Sequence, residues 1–333
     1  MSDGGKHAAL LFALATTAFA AMTLSLLVGA AAISLEDSVR ALFSQDSETI
    51  ALIIYEIRLP RALLGFMVGA TLGLSGAVLQ GYLRNPLAEP GVIGVSAAAS
   101  LGAVAALYSG LSAIFPYALP ACALLASALA VLIIQTLAGS RASTLTIILA
   151  GVAISSFSSA MTSLALNLAP NPFAALEIVF WLMGSLADRS MVHVHLAAPF
   201  IAVGAAVLLS LGRSLDALTL GEQVAGTLGI NPRRLQFLAI FGTACGVGAA
   251  TSVSGAIAFV GLVVPHLLRP LVGARPSRLL LPSALGGAVL VLTADIFVRV
   301  AFPDQELKLG VVTALVGAPF FLWLLLTRGR QLP

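Results

Sequence analysis

The chain has 333 residues, 59% of them hydrophobic and only 9% charged, with a formal net charge of +3 at pH 7. Soluble domains carry about 25% charged residues, so this composition excludes an ordinary soluble domain and points to a multi-pass membrane protein. The small positive charge needs no nucleic-acid partner. Cys122 and Cys245 both lie in apolar runs, where they read as packing residues rather than a disulfide framework.

A hydrocarbon core of roughly 30 Å takes about 20 apolar residues per helix. The candidate spans, in chain order, are Ala8–Ile33, Ala62–Leu83, Val92–Phe115, Tyr117–Ala138, Leu145–Leu168, Val192–Leu211, Leu235–Pro265, Leu279–Val298 and Leu309–Thr327. Helices are expected, because the strands of a membrane barrel alternate apolar and polar residues and these runs do not. The first run follows Lys6 and contains Ala18-Phe19-Ala20, as a secretory signal does. It exceeds the roughly 7–15 apolar residues of a signal core, so an uncleaved span is expected.

Between the second and third spans lies Gln80–Ser96, which holds Arg84, Asn85-Pro86 and Glu89-Pro90. Unpaired charges do not sit in hydrocarbon, and each proline lacks an N–H and turns the residue before it away from helix. The segment predicts a tight loop at a membrane surface. The fifth span is rich in hydroxyls, with Ser155, Ser156, Ser158, Ser159, Thr162 and Ser163 ahead of Asn167. Small hydroxyl residues let helices pack closely, and they also suit the wall of a smooth polar path. The residues alone allow both readings.

Gly212–Arg234 is polar enough to leave the membrane. Thr219 followed by Glu222 fits a capping box. Leu220, Val224 and Leu228 recur every fourth residue as one apolar stripe, Gly229 suits a C-terminal cap, and Asn231-Pro232 ends the pattern. This predicts a short amphipathic surface helix that lies on its own protein or the lipid, or docks a soluble partner. Leu235–Pro265 would reach about 46 Å as one straight helix at roughly 1.5 Å per residue. Thr251–Gly255 is the expected break. With two crossings, Arg233 and Arg234 share a side with Arg269, Arg275 and Arg278, as the positive-inside rule favours. The expectation is an all-α polytopic membrane protein of about ten transmembrane helices with cytoplasmic N- and C-termini. It forms a single transmembrane domain over residues 1–333, with 212–234 as its cytoplasmic element.

Several motifs in order carry a resemblance. They are Arg58-Leu59-Pro60-Arg61, Asn85-Pro86-Leu87-Ala88-Glu89-Pro90, Leu149-Ala150-Gly151-Val152, Trp181-Leu182-Met183-Gly184-Ser185-Leu186, Leu220-Gly221-Glu222 with Leu228-Gly229, Gly255-Ala256-Ile257, Gly261-Leu262-Val263-Val264-Pro265-His266, Ala294-Asp295 with Arg299, and Gly317-Ala318-Pro319-Phe320-Phe321. From about Arg58 to Arg328 the chain resembles the FecCD-like permease subunits of type II ATP-binding-cassette importers. That group takes up iron–siderophore chelates, haem and cobalamin. One departure stands out: the family usually has Glu-Leu-Pro-x-Gly before the last span, and this chain reads Glu306-Leu307-Lys308-Leu309-Gly310.

The resemblance implies the type II importer permease fold, a homodimeric pore with a second copy of the chain, and a multi-pass location in the bacterial inner membrane among lipid. It implies two ATP-binding-cassette ATPase subunits, docked on Leu220, Gly221, Glu222, Val224, Ala225, Leu228 and Gly229. Those subunits would bind ATP and Mg, and this chain no cofactor. The residues agree, since a nucleotide phosphate loop needs Gly-x4-Gly-Lys-[Ser/Thr] and neither Lys6 nor Lys308 is followed by Ser or Thr. Arg58, Arg61 and Arg299 would pair with carboxylates of a soluble or lipid-anchored substrate-binding protein. By themselves these arginines read as interfacial snorkelling, with Asp295 four residues before Arg299 as a helical partner. Ser143 and Thr144 would form the cytoplasmic gate, and Ser155, Ser159 and Thr162 the pore wall. The expected cargo is an iron–siderophore chelate first, then haem or cobalamin.

An enzyme is not expected. His193 and His195 point about 200° apart on a helix and cannot share a metal. A transporter driven by an ion gradient is the alternative of a different class, and it needs an embedded carboxylate or a broken-helix ion site. Asp295 is the acidic residue that lies within a span.

Overall fold

In hydrocarbon each backbone N–H and C=O must be satisfied within the chain, so long apolar runs become helices. The computed structural model describes residues 3–29, 33, 36–37, 40, 48–115, 117–138, 144–273, 275–303, 305 and 307–328, and every regular element among them is helical. The helices are α1 (Asp3–Leu27), α2 (Glu48–Leu52), α3 (Leu59–Tyr82), α4 (Val95–Tyr108), α5 (Leu111–Ile114), α6 (Ala118–Ala138), α7 (Thr144–Asn167) and α8 (Pro172–Leu182). They continue with α9 (Met191–Ser210), α10 (Gly212–Leu218), α11 (Glu222–Thr227), α12 (Pro232–Ser254), α13 (Val260–Leu268), α14 (Pro276–Ala301) and α15 (Leu309–Arg328). Among the described residues, 7 helical stretches are long and apolar enough to cross a membrane.

Three boundaries differ from the sequence expectation. The second span begins earlier, because α2 runs through a π-helical stretch at Ile53–Arg58 into α3 as one helix over Thr49–Tyr82. The run Val92–Phe115 is not one continuous helix. A 3₁₀ turn at Pro90–Ile93 ends at Gly94 with φ +79°, and α4 then stops before Gly110 at φ +69°. Its 14 residues reach about 21 Å, short of the hydrocarbon core. The apolar run hid two left-handed turns that only glycine adopts without strain. The third difference is α8, which the span reading passed over. Asn171 caps it by accepting from the Ala174 N–H at 2.9 Å, and Pro172 occupies its first position.

The expected break in Leu235–Pro265 is present: α12 ends at Ser254, Gly255 takes φ +69°, and α13 starts at Val260. At 9 residues, α13 is a half-length helix of about 14 Å. The break is held by backbone contacts. Ser185 N–H donates to Ser254 O at 2.7 Å, and Gly310 N–H donates to Gly184 O at 3.2 Å. Gly184, Gly255 and Gly310 meet so closely that a Cβ on any of them would overlap a neighbouring carbonyl oxygen. The end of α8, the break and the start of α15 therefore form one backbone junction.

The centre of the fold is α3. Its most extensive partner is α14, and the contact is backbone to backbone. A Cβ at Gly69 would overlap the Gly287 carbonyl, one at Gly73 the Ser283 carbonyl, and one at Gly76 the Gly261 carbonyl of α13. Gly65, Gly69 and Gly73 recur every fourth residue, which is the small-residue spacing that brings membrane helices together. Below this spine, the buried Gln80 amide donates to Gly261 O and Leu262 O at 3.2 and 3.3 Å and accepts from Arg269 at 2.8 Å.

Little of α1 is buried, about 17% of its apolar window, and its C-terminal carbonyls anchor it. Arg58 Nη1 donates to Leu26 O at 3.1 Å and Leu27 O at 2.7 Å. Arg299 Nη1 donates to Ser25 O at 3.1 Å and Val28 O at 2.8 Å, and its Nη2 reaches the Ser25 hydroxyl at 2.7 Å. The last turn of a helix leaves its carbonyls without partners, and two guanidinium groups fill that role here. Asp295 holds the cluster together, 2.8 Å from Arg61 and 3.1 Å from Arg299.

Two outcomes follow from this packing. Gly69→Ala should lower stability in detergent by about 1–3 kcal/mol, the usual cost of overpacking, while Gly4→Ala, where a Cβ meets nothing within 4 Å, should not. Thermal unfolding of the two variants checks this, and equal midpoints would rule out the spine. Arg299→Ala removes one partner of a buried pair and orphans the α1 carbonyls, so a loss of about 3–5 kcal/mol is expected. Limited proteolysis before α2 should then become faster.

Candidate functional site

The segment between α9 and α12 folds as two short helices rather than one. Thr219 does not form the expected capping box. Its hydroxyl donates back to Asp216 O at 2.7 Å, at the end of α10. Gly221, at φ +101°, turns the chain into α11, and no side chain caps that turn. The box pattern failed because Gly221 breaks the helix between its two members. Glu222 instead pairs with Arg84, Nη2 to Oε1 at 2.6 Å. Gly229 ends α11 at φ +82°, as expected. Asn231, which the sequence reading used as a stop signal, is the N-cap of α12 and accepts from the N–H groups of Arg233 and Arg234 at 3.0 and 3.2 Å.

The apolar stripe faces outward. Leu220 is 63% exposed, Val224 43% and Leu228 60%, while Ala225 at 2% packs α11 onto the body. A row of bare leucine and valine on a polar surface segment marks an interaction face. Asp216 fixes this segment to the transmembrane body, accepting from the Ser277 N–H at 2.8 Å and its hydroxyl at 2.5 Å at the start of α14. Sequence reasoning missed this cap, although Pro276 in the first turn of α14 signals a helix start.

The loop after α3 reaches the other functional element. Asn85 accepts from the Leu87 N–H at 2.9 Å, and the loop continues through Glu89 into the Pro90–Ile93 turn. A cavity of about 510 Å³ opens between this loop and α7, α13 and α15, with Leu87, Glu89, Val152, Ser155, Ser156 and Phe321 in its wall. Burial pushes the Glu89 carboxyl up, against the hydrogen bond from the Phe259 backbone N–H. Phe259 itself sits at φ +67° as the residue before α13.

Of the expected pore residues, Ser155, Ser159 and Thr162 lie on α7 at helical spacing i, i+4, i+7 and share one face. Ser155 borders the cavity, Ser159 is exposed and Thr162 half-buried. Thr144 opens α7, and Ser143 lies outside the described residues. Lys308 immediately precedes α15 and places its Nζ 5.3 Å from the Phe180 ring centroid on α8. The last helix thus starts at Leu309 without the family's proline, and Lys308 gives it a cation–π contact with α8.

The arginines are not simple interfacial snorkellers, and Arg299 makes the i, i+4 pair with Asp295 that its spacing predicts. Arg58 and Arg299 are buried, so neither snorkels, and neither presents its guanidinium at the surface. Arg61 makes a bidentate contact with Asp295 at 2.8–3.1 Å and stays partly accessible. Two guanidinium groups pair with Asp295, the acidic residue within a span.

The FecCD transport family profile matches residues 17–327. The chain is 40% identical over 283 residues to the ABC transporter permease protein YvrB of Bacillus subtilis, covering 84% of this chain and 80% of the relative. It is 41% identical to the cobalamin import system permease protein BtuC of Halobacterium salinarum, covering 84% and 75%. It is 39% identical to the vitamin B12 import system permease protein BtuC of Salmonella paratyphi A, covering 84% and 85%. A solved metal-chelate type ABC transporter in an inward-facing conformation superimposes with a TM-score of 0.84 at 34% identity, covering 93% of this chain and 96% of that one. This multi-pass inner-membrane protein belongs to the FecCD transport family and is an ABC importer permease of the BtuC type.

Proposed function

We propose that the chain pairs with a second copy to form a pore that passes a bulky metal chelate inward, driven by two separate ATPase subunits. The exposed Leu220–Val224–Leu228 stripe on an ABC permease carries this reading, because an ATP-driven permease without a phosphate loop must recruit its ATPase through such a face. Ten spans with cytoplasmic termini place α10 and α11 on the ATPase side. A substrate-binding protein docks on the opposite face. Arg61 is the accessible member of the arginine group for that contact, and Arg58 and Arg299 support it from beneath by holding α1. The hydroxyl face of α7 lines the path, with Thr144 at its inner mouth.

The relatives reorder the cargo expected from sequence. Two permeases at 39–41% identity are named for cobalamin or vitamin B12 import, which moves a corrinoid ahead of an iron–siderophore chelate or haem. Uptake of labelled cobalamin, a ferric siderophore and haem should be compared in cells with and without the gene. Uptake of cobalamin that needs ATP and this chain is expected; uptake of only the ferric siderophore or haem would overturn the corrinoid assignment. Leu220→Asp, at a side chain that is 63% exposed and so outside the core, should abolish uptake while membrane insertion persists. Normal uptake and ATPase stimulation in that variant would remove the docking role.

Topology has its own test in a background where Cys122 and Cys245 are replaced. Asn85→Cys and Arg275→Cys should react with an impermeant thiol reagent only from the cytoplasm, and Gln305→Cys only from outside. Labelling of Arg275→Cys from outside would mean a single crossing between Leu235 and Pro265.

A further inference from the structure

We infer that Arg84 is a positioning residue: it carries movement of α11 through the loop 84–94 to α7, the helix that walls the cavity. The inference rests on the reading of α11 as the ATPase-docking helix.

Three observations support it. The first is the pair of glycine turns that flank α11. The helix lies between Gly221 at φ +101° and Gly229 at φ +82°, and a Cβ at either position meets nothing within 4 Å. Ala225 is its buried residue, so α11 can pivot between two glycine hinges without opening a core. The second is the Arg84–Glu222 pair. It joins residues 138 apart in sequence at 2.6 Å, with side chains 47% and 65% exposed. Exposed pairs contribute only about 0–1 kcal/mol to stability, so the fold does not depend on this one. Yet Arg84 is held at φ +48°, a left-handed conformation that a residue with a Cβ rarely adopts. A strained backbone that places one side chain on a distant, hinged helix fits a role in transmission.

The third observation is the stiffness of the loop and where it ends. Asn85 N–H donates to Gln80 O, Ala88 N–H to Asn85 O, Val92 N–H to Glu89 O and Gly94 N–H to Gly91 O. Pro86 and Pro90 remove two further degrees of freedom. At the far end the loop touches α7 through backbone. A Cβ at Gly151 would overlap Val92 O, and one at Gly94 would lie 2.7 Å from Gly151 O. Ala88 and Ile93 are buried against Ile147 and Ala150 of the same helix. A rigid strut thus runs from an exposed ion pair on α11 to α7, four residues before Ser155. Packed elements of this kind move as units rather than deform continuously.

The test uses the complete complex with its ATPase subunits in proteoliposomes, comparing wild type, Arg84→Ala, Arg84→Glu, Glu222→Arg and the double variant Arg84→Glu/Glu222→Arg. Co-purification of the ATPase, ATP hydrolysis and cargo uptake are read separately. Arg84→Ala is expected to retain the ATPase but to lower uptake per ATP hydrolysed by about tenfold. The charge-swapped double variant should recover at least half of the wild-type ratio, which a merely local packing role would not produce. Arg84→Lys, which keeps the charge, should stay near wild type and serves if Arg84→Ala fails to fold. Raising salt to about 1 M, where the Debye length falls to about 3 Å, should weaken this exposed pair and push the wild-type ratio toward that of Arg84→Ala. Wild-type uptake per ATP in Arg84→Ala, or a double variant no better than either single one, would overturn the inference. A wild-type chain that binds no ATPase would instead remove the docking reading itself.

Discussion

Contact between backbones along α3 is the constraint on which the rest of the structure depends. Lipid tails are as apolar as leucine, so membrane helices gain little from the hydrophobic effect when they meet and rely on close packing instead. Gly69, Gly73 and Gly76 bring α3 against the carbonyls of α14 and α13 with no side chain between them. That closeness lets Gln80 reach the carbonyls of Gly261 and Leu262, which tie α13 to the same spine. The half-length α13 is tolerable in the membrane only because these neighbours and the Gly184–Gly255–Gly310 junction satisfy or shield its free backbone groups.

The two ends of the bundle answer this rigid centre in different ways. At one end, the buried Arg58, Arg299 and Asp295 and the partly accessible Arg61 form a network that closes the α1 helix end. Asp295 is paired with two of the arginines, and the α1 carbonyls accept from Arg58 and Arg299, which is the condition for keeping polar groups away from water. At the other end, the segment from α10 to α11 is fixed by Asp216 but leaves α11 between two open glycines. One end is closed by a charge network and the other presents an exposed apolar stripe. Lys308 joins the start of α15 to Phe180 where the family places a proline.

The cavity beside α7 lies where these regions meet. Its wall takes Glu89 from the loop after α3 and Ser155 and Ser156 from α7, with Phe321 from α15. The carboxyl of Glu89 is drawn toward its neutral form by burial and is opposed by the Phe259 N–H.

Much of this was legible in the chain itself. Hydrophobic runs separated by prolines and arginines dictated an all-helical membrane protein, because backbone groups in lipid are satisfied only in helices or closed barrels and these runs lack the alternation of a barrel. The break after Ser254 was legible too, since Leu235–Pro265 is too long for one crossing and Gly255 offers a left-handed exit. The outward stripe of Leu220, Val224 and Leu228 followed from its period. Tertiary structure decided what the charges do. Arg58 and Glu222 find partners far away in sequence, in Leu26–Leu27 and Arg84, and Arg299 adds the distant Ser25 to the Asp295 pair that its i, i+4 spacing predicts; no local pattern encodes the distant contacts. The capping box at Thr219 failed for the same reason: a local rule was outweighed by a glycine turn and an ion pair that exist only once the distant loop is in place. Periodicity reports which faces are apolar, whereas a charged side chain takes whatever partner the folded chain brings within reach.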